Sequence, residues 1–575
     1  MAKLGSFTLV LHAHLPYVLS HGRWPHGVDW LNEAAAECYM PLLDMFNSLV
    51  EEGISPRVTV GLTPVLVEQL ADPLFDQEFE SYLGQKIAAA EEDEREFSRI
   101  GESDFSALAS MWRDHYRGIW ERRRGRYAQG LVEGFRRLQD EGHLEIITSA
   151  ATHGYLPLLA EETSVYAQVR VGIESYQRRF GRRARGMWLP ECAYRPGYRW
   201  TSPIDPGAEP VDRRGLEEFV RAGGIDYFII DSHLLKGGQA IGVYLDRFDA
   251  LRTLWERYEE AHPPRPEAEE NSPYEIYLVG TAPDKEPVAI LTRDPSTALQ
   301  VWSSEHGYPG DEWYLDFHKR RFPGGHRYWR VSASGPDLAL KQTYRPGRVE
   351  KRLRENADHF VGLIKRTLAH HFEKSGRPGS ICAPFDAELF GHWWFEGPRW
   401  LGYVIRLIAQ DPDLELRTGA EQVDAARPSV VVSLPEGSWG EGGFHWIWLN
   451  ERTRWTWSHI YEAEHRMRAL VARYGSKTDR NVRRLLVQLA RELLLLESSD
   501  WQFLISTWSA RDYAELRLDG HYRDFRRLAE LVEKCGEGGE LSPEEWAFMA
   551  ICEERDGIFS GIDPEWWGID VPGIF

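Results

Sequence analysis

Cysteine is scarce in this chain. The five cysteines among 575 residues, Cys38, Cys192, Cys382, Cys535 and Cys552, are scattered, odd in number and without C-x-x-C spacing. That excludes a disulfide framework and a thiolate zinc knuckle and points to a reducing compartment. Long apolar runs are missing too, and nothing reaches the roughly 18 apolar residues a membrane helix needs. The opening MAKLGSFTLVLHAHLPYVL holds a short apolar stretch after one lysine, but it carries His12 and His14 and no small-residue cleavage site. It reads as a first strand and not as a leader. Positive charge is in deficit: 68 Lys and Arg stand against 89 Asp and Glu, a net charge of −21. Such a surface repels nucleic acid and anionic membranes. These absences lead us to expect a soluble, cytoplasmic protein with a neutral partner; they do not indicate an oligomeric state.

What the chain has in plenty is tryptophan. Thirteen of its 23 tryptophans lie after residue 390. Indole clusters thicken cores, and their flat faces also suit the C–H faces of sugar rings. The length calls for more than one domain, and 42% hydrophobic content supplies real cores.

Short, near-continuous apolar runs recur at 6–14, 57–64, 144–153, 184–191, 226–231 and 380–389, as buried parallel strands do. Helical stretches alternate with them, among them 104–142, closing at Gly142, and the 348–376 stretch. The alternation predicts a parallel sheet or barrel. Residues 250–290 read as a surface insertion with a charged helix, a Pro-rich acidic link and a strand. From about 419 a Gly/Trp-rich loop leads into helices, read as a helical C-terminal domain from 419 to 575.

The strand ends share a property. His12 and His14, Thr152 and His153, Glu191, Asp231 and His233, and Asp386 and Glu388 all sit where an apolar run stops. In a βα barrel, the active site collects at the C-terminal strand ends. Glu191 and Asp386 across a cleft lined by indoles would suit glycosidic bond cleavage, with an aromatic wall raising the pKa of a proton donor. Glu388, two residues on, points the same way in an extended strand and rivals Asp386. His12 and His14, with His153 or Asp231, could instead hold a metal.

In order and spacing, HAHLPY (12–17), GHLEIITSAATHGYLPLL (142–159), WLPECAY (188–194), FDAELFGHWWFEGP (385–398) and SSDWQFLI (498–505) resemble the conserved regions of glycoside hydrolase family 57. VWSSEHGYPGDEWYLDFH (301–318) and the helical C-terminus look most like its α-1,4-glucan branching enzymes. The resemblance implies an α/β fold: a (β/α)7 barrel (1–194 and 246–418), a small inserted domain (195–245) and an all-helical C-terminal domain (419–575). It implies retaining chemistry on an α-glucan without cofactor or metal, with Glu191 as nucleophile and Asp386 as acid/base. His12, His14, Trp30, His153, Trp302, Trp439, Trp448, Asp500 and Trp501 match substrate-contacting or cleft positions. Ile241, before the G-V-Y of 242–244, falls where branching members carry a tyrosine on a loop over the cleft, which implies a larger share of hydrolysis. The rival readings are a family amylase or 4-α-glucanotransferase, and an inactive glycan-binding protein.

Overall fold

The computed structural model describes residues 3–236, 271–280, 286–303, 307–332 and 337–569. Its strands are β1 (Gly5–Ala13), β2 (Val58–Leu62), β3 (Leu144–Ser149), β4 (Gly186–Trp188), β5 (Tyr198–Trp200), β6 (Val211–Arg213), β7 (Tyr227–Ile230), β8 (Tyr277–Val279), β9 (Val288–Thr292), β10 (Gly379–Asp386), β11 (Leu414–Leu416) and β12 (Val431–Val432). Seven of them run parallel in the order β10-β1-β2-β3-β4-β7-β9. The two ends meet at a parallel bridge between Arg293 and Cys382, where Asp294 N–H donates to the Cys382 carbonyl at 2.8 Å. The expected sevenfold barrel is therefore present, and each of the six apolar runs supplies one strand of it.

Strand alternation explains why these runs are apolar throughout. Val10, Ile147, Trp188, Tyr227, Ile229, Ala289, Leu291 and Cys382 form one buried cluster with Trp439 and Ala420. Their neighbours along the strands, such as Leu9, Leu11, Ile146, Met187, Phe228, Ile230 and Ile290, join a second, larger one. A period of two thus sends alternate side chains into the barrel and out against the helices. Within the first set, His12 is the next inward position after Val10.

Several boundaries differ from expectation. The 104–142 stretch is two helices, Ser103–Arg124 and Leu131–Asp140, separated by a turn that ends at Gly130 with φ 106°, a conformation open to glycine. Of 195–245, the described residues are 195–236; among them the antiparallel hairpin β5–β6 stands apart from the sheet, and the helix Leu216–Ala222 leads into β7, which pairs with both β4 and β9. The rear of 250–290 is likewise no surface insertion, because β8 lies antiparallel to the barrel strand β9. The turn-rich sequence between the two short runs hid that pairing.

The helical part begins at Arg454 and not at 419. The helix Gly419–Ala426 closes the barrel floor, its first N–H groups donating to Thr59 Oγ1 and Glu145 Oε2, both at 2.8 Å. β12 then pairs with β8. The helices after it are Arg454–Tyr474, Arg480–Leu496, Asp500–Thr507, Arg511–Gly536 and Pro543–Arg555. They dock on the barrel mouth: Thr152 Oγ1 donates to the Leu494 carbonyl, and Ser499 N–H donates to the His153 carbonyl at 3.2 Å. A second tie joins His21 Nε2 to buried Asp556 at 2.6 Å. Burial raises the Asp556 carboxyl, but the His21 hydrogen bond and the neighbouring His521 and Arg555 outweigh it and hold the group well below the usual range. Among the described residues no helix is long and apolar enough to cross a membrane.

Candidate active site

Glu191 stands in a tight turn just beyond β4. Cys192 N–H donates to the Leu189 carbonyl at 2.8 Å and Ala193 N–H to the Pro190 carbonyl at 3.0 Å. Glu191 (φ 60°) and Cys192 (φ 47°) both take the left-handed conformation, which costs a non-glycine residue roughly 1 kcal/mol or more. Trp439 holds the turn in place twice. Its backbone N–H donates to the Glu191 carbonyl at 3.0 Å, and its indole N–H donates to Glu191 Oε2 at 2.7 Å. Burial pushes the Glu191 carboxyl up to about 8; the indole N–H opposes this, and the charges of Asp386 and Asp500 add to it. Asp386 and Asp500 are thus its acidic neighbours.

Asp386 ends β10, in register with His12 of β1, and is partly exposed. Its rival Glu388 is not placed for the same task. Glu388 turns into the protein, where Oε1 accepts the His14 backbone N–H at 3.0 Å and the Tyr39 hydroxyl at 2.5 Å. Burial and the Asp386 charge push it up to about 8 against those two donors. The reason is local: Asp386 starts a short 3-10 turn, Ala387–Leu389, so the two-residue alternation of an extended strand no longer applies.

The histidines stack between these acids. His12 lies on Trp188 with centroids 4.4 Å apart and an interplanar angle of 14°; His14 lies on His153 at 3.9 Å and 18°. His12 Nε2 and His153 Nε2 are 3.1 Å apart, sharing one proton. Burial, with the neighbouring rings, drives His12 and His153 well below the ordinary imidazole range, so both are neutral hydrogen-bonding groups. His14 Nδ1 faces Thr63 Oγ1 at 3.1 Å and Nε2 faces Asp500 Oδ2 at 2.9 Å. His153 Nδ1 meets Ser499 Oγ at 3.0 Å and lies 3.9 Å from Glu191 Oε1. Stacked rings directed at different neighbours do not converge as a metal-ligand set does, and Asp231 is bound elsewhere, to Arg293 and His233. His21, His521 and Asp556 do come close enough to share an ion, but Arg555 is bound to Asp556 and Arg517 to His521, so cations already occupy that site.

Asp500 reaches this cleft from the helical part, where Ser498 Oγ donates to Oδ2 at 2.6 Å. The site is thus composite, with barrel and helices each supplying an acid. The predicted tryptophans divide. Half-buried Trp30 lies beside His26 and Tyr513, and Trp302 is buried against Trp393, itself 37% exposed and not singled out from the sequence. Trp439, Trp448 and Trp501 offer no open stacking face. Trp439 is spent on Glu191, Trp448 stacks on Tyr155 at 4.5 Å, and Trp501 donates its N–H to the Leu495 carbonyl at 2.8 Å. Ile241 lies outside the described residues. Sequence reasoning missed Thr63, Ser499, Tyr39 and Arg293. Ser499 and Thr63 were within reach, each lying inside a stretch already singled out, 498–505 and 57–64.

Known proteins resemble this chain along almost its whole length. The family model for glycosyl hydrolase family 57 matches residues 8–435, and one for the C-terminal part of 1,4-alpha-glucan branching enzymes matches 459–567. A 1,4-alpha-glucan branching enzyme of Thermococcus kodakarensis is 41% identical over 96% of this chain and 77% of its own length. Its crystal structure, with glucose bound, superposes at a TM-score of 0.88, covering 99% of this chain and 97% of that one at 39% identity. A family 57 branching enzyme of Pyrococcus horikoshii gives 0.87 at 39% identity, covering 99% and 98%. The α-amylase AmyC of Thermotoga maritima gives 0.80 at 29% identity, covering 99% of each chain. The first of these models spans most of the chain and contains the turn of Glu191 and the strand of Asp386: the protein belongs to glycosyl hydrolase family 57.

Proposed function

We propose that the chain is a 1,4-α-glucan branching enzyme working by retaining double displacement. Asp386 protonates the glycosidic oxygen while Glu191 attacks C1, giving a covalent glycosyl-enzyme. Asp386 then takes the proton of the incoming hydroxyl. With the 6-hydroxyl of another chain the product is an α-1,6 branch; with water it is hydrolysis. Neutral His12 and His153 supply hydrogen bonds to sugar hydroxyls without adding charge beside the acids, and His14, held between Thr63 and Asp500, supplies another. The observation that carries the reading is the helical part: it matches branching enzymes, and it delivers Asp500 to His14 at the barrel mouth. Similarity to an α-amylase over the whole chain favours a second reading, in which water is the main acceptor.

The product linkage separates the two. On pure amylose, proton NMR is expected to show α-1,6 signals growing well beyond new reducing ends. Reducing ends without α-1,6 signals would establish the amylase reading, and neither signal would indicate a glycan-binding protein.

The choice of acid has its own test. Gln at position 388 keeps an oxygen for the His14 N–H and the Tyr39 hydroxyl, so Glu388→Gln is expected to lower kcat by less than about tenfold. Asp386→Asn is expected to cost on the order of 10²–10⁴. The opposite ranking would exchange their roles.

A further inference from the structure

Asp231 and His233 stand at the mouth end of β7 and take no part in the chemistry above. Both are buried. Asp231 Oδ1 faces His233 Nδ1 at 3.0 Å, and Oδ2 accepts from Arg293 Nη1 at 2.9 Å. Arg293 follows β9 and is buried too. Its guanidinium lies over the Trp439 indole, 5.4 Å from the ring centroid. That indole is the one donating to Glu191 Oε2. A row of groups therefore runs from buried Asp231 through buried Arg293 and Trp439 to partly buried Glu191, joining the ends of β7, β9 and β4. The loop carrying Trp439 is tied to the same hub from its other side, by His233 Nε2 on the Gly443 carbonyl at 3.0 Å.

We propose that Arg293, anchored by Asp231, is a positioning residue that clamps the Trp439 indole and through it holds the Glu191 carboxylate in its attacking orientation. The inference rests on Glu191 being the nucleophile, and it applies whether water or a glucan hydroxyl is the acceptor.

Three physical points support it. Burying a guanidinium is costly, and a bare ion pair is a weak reason to do so; here the cation also sits on an indole face, where it is attracted to the ring. Second, the Arg293 charge is matched by Asp231, so little net field reaches Glu191 directly, and the effect passes through the placement of the indole. Third, among the described residues Glu191 has few other sources of support. Those near it are Asp386 from β10, Asp500 from the helical part, His153 from the turn after β3 and Trp439 itself. Two of these are acids, His153 stands 3.9 Å away and is neutral, and the Trp439 N–H is left as the direct hydrogen bond to the carboxylate.

The test is the pH dependence of kcat/KM on amylose, following total glycosidic cleavage, for Arg293→Met, Arg293→Lys, Trp439→Phe and the Arg293→Met/Trp439→Phe pair. The acid limb reports Glu191 taking up a proton. Loss of a hydrogen bond to a charged group is expected to move that limb up by about one pH unit, a tenfold change in proton affinity. Arg293→Met should show that shift with kcat falling and KM nearly constant. Lysine should restore part of it. Trp439→Phe, which removes the N–H and keeps a ring, should shift the limb as far, and the pair should shift it no further than Trp439→Phe alone. An Arg293→Met enzyme of low activity with an unmoved acid limb would mean a purely structural ion pair, and additive shifts in the pair would mean a direct charge effect; either overturns the proposal. Should Arg293→Met fail to fold, Trp439→Phe decides alone, since a wild-type acid limb in that variant removes the route through the indole. A cleavage-competent Glu191→Gln enzyme would be a different failure, that of the nucleophile assignment itself.

Discussion

Glu191→Gln is expected to abolish branching and hydrolysis together and to make the protein more stable. The loss follows from the chemistry: an amide cannot form the glycosyl-enzyme through which both outcomes pass, and removing a nucleophile costs roughly 10⁴-fold or more in kcat. The gain follows from the site. The Glu191 side chain is partly buried, lies near two other acids and is pushed up to about 8. Its proton affinity is thus higher folded than unfolded, so its contribution to stability is fully present below the unfolded pKa and is lost as pH rises through the folded one. Above that, the folded chain carries an unwelcome, partly buried charge. Gln is neutral at every pH and keeps an oxygen for the Trp439 N–H. The variant should therefore melt above wild type at pH 9 and close to it at pH 5. Residual turnover near the wild-type rate would end the nucleophile assignment, and a variant less stable than wild type at pH 9 would contradict the burial argument.

This antagonism explains part of what could be read without coordinates. Strand ends carrying acids and imidazoles after apolar runs are out of place as packing, and each of the six runs did become a barrel strand with its polar residues at the mouth. Periodicity gave the strands because parallel strands buried on both faces have little else to be made of. It gave Asp386 over Glu388 only as rivals, because the strand's alternation ends at a 3-10 turn that no apolar pattern announces. β8 and β9 were partly lost for a similar reason: each is short, and the turn-rich sequence between them looks like surface. Arg293 was lost with them, since it follows a strand that had been assigned to an insertion.

Tryptophan was the residue type most open to misreading. An indole is equally suited to a sugar platform and to a core, and composition cannot distinguish the two. Trp439 turned out to serve its N–H rather than its face, and Trp448 and Trp501 fill the junction where the helices meet the barrel. That burial is functional in another sense. It places Ser498, Ser499 and Asp500 where they can hold His14 and His153, so the helical part completes the cleft instead of merely flanking it.

Asp386→Asn is expected to produce an enzyme whose defect depends on the leaving group and whose pH profile loses one side. Cleaving a glucan link needs a proton on the departing oxygen, and a positioned acid supplies about 10²–10⁴ in rate. Asn cannot donate it, so kcat on amylose should fall by that order. A maltooligosaccharide bearing an activated aryl leaving group needs no such proton, so its first step should be largely spared. The second step still lacks its base. The glycosyl-enzyme should then accumulate, visible as a burst of released phenol followed by slow turnover, and azide, which attacks without giving up a proton, should restore the steady rate. The pH profile provides an independent check. The double displacement needs Glu191 ionised and Asp386 protonated at the same time. With Asn at 386 the basic limb, which reports loss of that proton, should vanish. Equal losses on amylose and on the activated substrate, with no rescue by azide, would take the acid/base role away from Asp386.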